Sequence, residues 1–267
     1  MADADELLRE GNLSGARAAL VEVVRSQPSS EQGRMFLFQL FAVLGEWDKA
    51  RNQLQALAQL SPEAQMLSVT YNQAMDAEKQ RAAVLAGEAE MPLLAGAGGW
   101  AEGIARSITL LGRGEVDAAI AARDESFDSA PDTPGSIDGV KFDWISDADG
   151  RFGPTIEAII AGRYGLVPFS EIAHIKSDGP RDLRDTVWYP IQMALKSGQS
   201  VAAFIPARYP GSENDADDKV KLGRVTNWAD HPSGNADIGQ IGLGQRLWTL
   251  SEGDDRGLLD LRALVFA

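Results

Sequence analysis

Asp147-Ala148-Asp149-Gly150 sets two carboxylates two positions apart just before a glycine, a spacing found in calcium loops. In a helix-loop-helix site, Asp147, Asp149 and Gly150 would be loop positions three, five and six. Ile145 then stands where the first carboxylate belongs, and the closing glutamate falls on Ile156, one short of Glu157. The loop fails at both ends, and the stretch reads as a tight turn between strands. "GQIGLGQR", Gly239 to Arg246, holds three glycines, but a dinucleotide loop needs a helix opening at the third. The residues after it, "LWTLSEGDD", read as another strand and turn. There are two histidines. His174 lies between apolar neighbours in "EIAHI" and reads as a partly buried strand residue. His231 sits in a Pro/Gly-rich loop with no nucleophile to pair with. No catalytic set, metal site or cofactor site is expected.

Composition narrows the classes further. With 39 acidic and 25 basic residues in 267, the formal charge is −14, a field that repels phosphate backbones, and nucleic acid is not an expected partner. The absence of cysteine removes disulfides, thiolate catalysis and sulfur-based zinc sites. The N-terminal "MADADELLREG" lacks the basic-then-apolar order of a signal peptide. "MFLFQLFAVL", Met35 to Leu44, is about half the length of a membrane span. A cytoplasmic protein without membrane insertion is the expectation.

The elements that would position any site begin with a repeat. "GNLSGARAALVEVVRSQP" from Gly11 and "GEWDKARNQLQALAQLSP" from Gly45 lie 34 residues apart. Leu13 and Trp47, Ala16 and Ala50, Arg17 and Arg51, Leu20 and Leu54, and Pro28 and Pro62 keep the same offset. A degenerate third copy has Gly114, Val116, Ala119 and Pro131. The glycine permits the turn out of one helix. The bulky residue and the alanine open the next helix, where alanine allows close approach of its pair, and the proline stops it. Apolar spacing at Met66, Val69, Met75, Val84 and Leu85 predicts a helix over 63–89, and "WAEGIARSITLLGRG" predicts another.

The pattern changes at "APDTPGSIDG", Ala130 to Gly139, which reads as a linker. Beyond it, "VKFDWI", "IEAIIAGRYGLVPF", "EIAHI", "SVAAFI" and "LRALVF" read as strands, with one or two helices near 186–197. Residues 140–145 alternate as an outer strand would, and the acidic 209–221 reads as an exposed loop. The fold class expected is α+β in two parts: an all-helical repeat domain, 1–131, followed by a small β-rich α+β domain, 132–267.

The 34-residue helix-turn-helix resembles the tetratricopeptide repeat, with Leu37, Phe41 and Leu54 at its usual apolar places. It departs at Arg34, where a large aromatic is typical, at Phe38, where a small residue sits, and at Arg123 in the third unit. The segments "DADGRFGPTIEAIIAGRYGLVPF", "PRDLRDTVWYPIQM", "FIPARYPGSE" and "IGLGQRLWTL" together resemble the ImpE family, also called TagJ. The resemblance implies a non-enzymatic accessory protein of type VI secretion. It implies as partners the N-terminal helix of the small contractile-sheath subunit and a link to the unfoldase that recycles the sheath.

Stacked helical hairpins build a groove whose inner wall comes from the first helix of each pair. In the second unit that wall is Gln32, Met35, Gln39, Ala42 and Val43, with Leu37 and Phe41 behind it and Phe38 protruding or splaying the pair. The competing reading is that "MFLFQLF" is only core. In the second half, Asp182, Arg184, Asp185, Trp188, Arg208 and Tyr209 are candidates for a binding edge or an ion-paired structural network. A small-molecule-binding protein or hydrolase, with a site between the domains near Trp188 and Arg208, is the alternative function.

Overall fold

The computed structural model describes residues 2–96 and 98–267. Its first half is helical: α1 (Ala2–Arg9), α2 (Leu13–Ser26), α3 (Glu31–Val43) and α4 (Trp47–Leu60), then α5 (Pro62–Leu85), α6 (Gly99–Gly112) and α7 (Val116–Ser129). The repeat spacing sets these boundaries. Gly11, Gly45 and Gly114 all have φ between 67° and 80°, a conformation a side chain resists, and each lies two residues before the next helix. Ala16, Ala50 and Ala119 are buried where paired helices approach. Ser61 ends α4 and also caps α5, its Oγ accepting the Ala64 N–H at 3.2 Å, so Pro62 opens the new helix at its first turn. In α5, Met75 and Val84 are buried as the periodicity predicts, but Met66 and Val69 are 75% and 56% exposed. No helix among the described residues is long and apolar enough to cross a membrane.

The second half holds thirteen strands among the described residues. An antiparallel eight-stranded sheet runs β2 (Val140–Phe142), β1 (Gly135–Ile137), β13 (Ala263–Phe266), β6 (Ile172–Lys176), β7 (Trp188–Leu195), β8 (Ser200–Pro206), β4 (Thr155–Ile160) and β5 (Arg163–Pro168). β9 (Thr226–Asp230) pairs with β10 (Gln240–Gly244), and β3 (Ile145–Asp147), β11 (Leu247–Leu250) and β12 (Asp255–Gly257) form a third sheet. The β4–β5 hairpin turns on Ala161 and Gly162, both with positive φ, as a two-residue turn matched to strand twist demands. A short helix, α8 (Asp218–Lys221), precedes β9. The architecture is α+β and two-part.

Four local expectations are corrected. Residues 188–195 are strand β7, paired with β6 and β8, and not helix. Tyr189, Ile191, Met193 and Leu195 are buried while Pro190, Gln192 and Ala194 are more open, a period of two that the helix-favouring composition hides. The run 140–145 does not stay one strand, since β2 and β3 belong to different sheets. Gly135–Ile137, inside the supposed linker, pairs with both β2 and β13. The acidic 209–221 is no free loop: Tyr209, Ser212 and Val220 are buried, and Asp218 accepts the Leu13 N–H at 2.9 Å.

One apolar core serves the helices and the near face of the sheet together. Tyr71 of α5 packs edge-on to Phe38 of α3 at 5.6 Å, and against Trp188 at 5.5 Å and Phe204 at 5.6 Å. Trp47 of α4 meets Trp188 at 5.7 Å. A second core lies on the far face, where Phe169 meets Trp248 and Phe266. Phe38, oversized for its repeat position, does not protrude; it is fully buried and fills the space against Tyr71. Phe38→Ala therefore should lower the unfolding free energy by about 3–5 kcal/mol in urea titrations, as cavity-forming aromatic truncations do.

Candidate functional site

On α3 the spacing i, i+3, i+4, i+7 brings Gln32, Met35, Phe36 and Gln39 to one face. That face floors an open groove of about 710 Å³. The opposite wall is Leu8 of α1 and Leu183, and the rim carries Asp5, Arg9, Asp182 and Arg224. Of the six residues anticipated for a partner, Gln32, Met35 and Gln39 line this groove. Phe38 points off that face into the core, and Ala42, one stripe on from Met35, is buried beyond the end of the groove. Val43 shares its azimuth but lies at the end of α3 that Arg208 covers, and it too is buried. Sequence reasoning missed Phe36 and the contribution of α1.

Backbone capping holds the rim charges in place. Arg224 donates to the Leu8 and Arg9 carbonyls at 2.7 and 3.0 Å, closing the C-terminus of α1 where a cation is favoured. Asp182 caps the 3-10 turn 183–186, accepting the Arg184 N–H at 3.1 Å, and Asp185 completes a capping box by accepting the Arg181 N–H at 2.7 Å and the Asp182 N–H at 3.3 Å. Burial raises the Asp182 pKa above the usual carboxylate value against the pull of Arg184. Arg184 lies over the Tyr71 ring at 4.9 Å with Nη1 4.0 Å from Met35 Sδ, joining this turn to the groove floor. Met35 and Phe36, set among two glutamines and between charges of both signs, make an amphipathic surface of the kind a partner helix fits.

The other anticipated residues sit inside the molecule. Trp188, Tyr209, Asp185 and Arg208 are all buried. Trp188 Nε1 donates to Glu78 Oε1 of α5 at 3.0 Å. Arg208 Nη1 donates to the Val43 carbonyl at 2.8 Å and to the Lys221 carbonyl, tying the C-termini of α3 and α8; burial outweighs the pull of Glu213 and Glu78 and lowers its pKa to about 10. Tyr209 donates its hydroxyl to Asp147 Oδ1 at 3.0 Å. Asp185 stays within its own turn, while Trp188, Arg208 and Tyr209 adjoin a buried ionic network whose centre is Glu157 of β4. Arg81 of α5 grips Glu157 with two bonds of 2.8 Å, Tyr164 donates to it at 2.5 Å, and Arg246 bridges it to Asp147. Arg246 is sandwiched between the Phe152 and Tyr209 rings at 4.8 and 4.9 Å. Asp149 takes Arg151 at 2.6 Å and the Gly242 N–H at 2.9 Å. The turn expected at 147–150 is present, with both its carboxylates turned inward.

Sequence reasoning missed Glu157, Arg246 and Arg81; the available signal was a lone charge inside the apolar "TIEAII". His174 is half-buried in β6, and His231 Nδ1 lies 2.9 Å from Ser233 Oγ in its loop. Among the described residues, no three His, Asp or Glu side chains converge as a metal site.

The ImpE protein family profile matches residues 139–265, the sheet half with Asp147, Glu157 and Arg246. The type VI secretion system accessory component TagJ of Pseudomonas aeruginosa is 41% identical over 263 residues, covering 98% of this chain and 90% of that protein. The chain belongs to the ImpE/TagJ family. The crystal structure of protein VPA1032 from Vibrio parahaemolyticus superposes with a TM-score of 0.85 over 99% of this chain and 97% of the other, at 21% identity, a likeness of fold. The TagJ match spans the helical half as well, so the ImpE/TagJ relationship takes in Arg81 and the α3 groove along with the sheet.

The network dictates a pH response. Burial alone would raise the Glu157 pKa, but Arg81 and Arg246 outweigh it and hold the carboxyl at about 2, below its ordinary 4.5. Its stabilising contribution is complete above pH 4.5 and is lost as pH falls toward 2. For Asp147 burial wins over Arg246 and the pKa rises from 3.8 to about 6, so its contribution is complete below 3.8 and is lost as pH rises through 6. Urea unfolding between pH 4 and 6 should therefore show a shallower decline in stability for Asp147→Asn than for the parent. Glu157→Gln removes the carboxylate that two buried guanidinium groups share, leaving Arg246 to Asp147 and Arg81 to the longer contact with Glu78, and should cost about 3–5 kcal/mol at pH 7 in the same assay.

Proposed function

We propose that this chain is a non-catalytic accessory component of a type VI secretion system, acting in the cytoplasm by holding a helix of a partner protein in the α3 groove. The expected occupant is the N-terminal helix of the small contractile-sheath subunit, with the sheath-recycling unfoldase as a further contact. The observation that carries this reading is the groove itself: Met35, Phe36 and Leu8 offer apolar anchor sites between rims of mixed charge. The 41% identical TagJ, described as a type VI secretion accessory component, supplies the cellular setting. Each apolar anchor buried there contributes about 1.5–3 kcal/mol. Two or three anchors, less the ordering cost of binding, correspond to roughly micromolar affinity. Trp188 and Arg208, the centre of the small-molecule alternative, are closed off in the core.

The test uses the full chain, because helices and sheet share one core. A labelled peptide of the sheath subunit's N-terminal helix should bind in a fluorescence anisotropy titration, and Met35→Asp should weaken it by roughly tenfold or more by placing a charge on the apolar floor. No binding to the parent protein would sink the sheath assignment.

A further inference from the structure

The helices cover only part of the large sheet. Ile159 of β4, Phe204 of β8 and Pro190 of β7 lie beside α5, and residues paired directly across strands share a face with them. Through the register, Ala202 of β8, Gln192 of β7, Lys176 of β6 and Ala263 of β13 continue one face away from α5. The first three are exposed and Ala263 is half-buried. Small residues there leave a crevice along the helix. Its inner part is a cavity of about 320 Å³ against Ala74, Ile159 and Phe204, and its outer part is an open polar mouth of about 620 Å³. Pro190, Ile191 and Ala202 border both parts.

Charge and exposure say what such a crevice would take. The mouth carries Lys176, Arg181, Arg184 and Arg262 against Asp178 and Asp185, in a chain where acidic residues outnumber basic ones 39 to 25. Asp185 is occupied by backbone N–H groups, and Asp178 pairs with Arg181 at 2.5 Å. Lys176 has no ion-pair partner among the described residues. Arg184 is held against the Tyr71 ring and pairs with Asp182 at 3.0 Å, so the free cations of the mouth lie at its outer edge. On the helix side, Met66 and Val69 lie one turn from Thr70 and Gln73 of the crevice wall and are largely in solvent. An apolar wall thus faces a cationic rim.

We propose that this crevice is a second docking surface, separate from the α3 groove, for an acidic amphipathic segment of a partner protein. Its apolar side chains pack on Val69, Ile159 and Phe204, and its carboxylates reach Lys176 and Arg181. Lys176 is unpaired among the described residues, and exposed Arg181 can exchange its contact with Asp178 for one with an incoming carboxylate, to which a guanidinium offers a two-pronged contact.

A labelled sixteen-residue peptide with Leu and Glu at helical spacing serves as the probe, beside the same peptide with Lys for every Glu. Anisotropy with the full chain at low salt should show the Glu peptide binding roughly tenfold tighter or better. Lys176→Glu combined with Arg181→Glu, both exposed, should remove that advantage while circular dichroism and the melting temperature stay unchanged. Val69→Asp should also weaken binding, and Met35→Asp should not. Equal affinity for the two peptides, or indifference to the double charge reversal, overturns the proposal. So does loss on Met35→Asp, which puts the peptide in the α3 groove, or a sedimentation-detected dimer dissolved by the double reversal, which makes the occupant a second copy of this chain.

Discussion

Glu157 is the point through which the two halves are held in register. Its carboxylate is fully buried and meets Arg81 from the helices and Arg246 from the sheet at once, with Tyr164 filling a remaining lone pair. Taking such ions out of water costs several kcal/mol each, which the attraction offsets only when every partner is in place. The network therefore contributes less to net stability than its bonds suggest. It contributes more to the selection of one arrangement: sliding α5 along the sheet by one residue would leave buried charge unpaired. Arg208 extends the same logic by binding the final carbonyl of α3 from the sheet half. The apolar stack of Phe38, Tyr71, Trp47 and Trp188 supplies the driving force, and the ionic centre supplies the alignment.

That alignment shapes the α3 groove. Its floor belongs to a repeat helix, but one wall is the 3-10 turn after Arg181, which is part of the sheet half. Neither half presents the groove alone. Arg184, resting on Tyr71 and touching Met35, couples the turn to the floor and also borders the crevice on its other side. The turn 182–186 is a ridge between two open surfaces of different character, one mixed in charge and one cationic.

The helical half was legible because its signals are local. A glycine at positive φ, an alanine at the close approach and a proline past the helix end each act within one turn, so the 34-residue offset placed α2 and α4 and the same internal spacing placed α7. The sheet half was less legible because its determinants are distant in sequence. Residues 188–195 carry helix-favouring Met, Ala and Leu, and only pairing with β6 and β8 makes them a strand. Phe38 was misjudged because its position in the repeat says nothing of Tyr71, 33 residues on, which receives it. Likewise Gln32, Met35 and Gln39 could be read from helical periodicity, whereas the Asp182 rim and the burial of Val43 arise from contacts across more than a hundred residues. Arg123, a flaw in the repeat pattern, is explained by the carbonyls of Asp237 and Ile238 that it binds at 2.8 and 3.1 Å.

That contact of Arg123 sets the size of the array. Helical repeats stacked end on end need a polar terminal unit, or they keep adding units or aggregating. Here α7 spends its would-be core position on hydrogen bonds to the sheet half, so no further hairpin can stack there in the same manner. The sheet half is the end-cap of a truncated solenoid. An open solenoid can grow its concave surface by adding units; this one has a fixed ruler, and its groove runs only the few turns that α1, α3 and the 182–186 ridge provide.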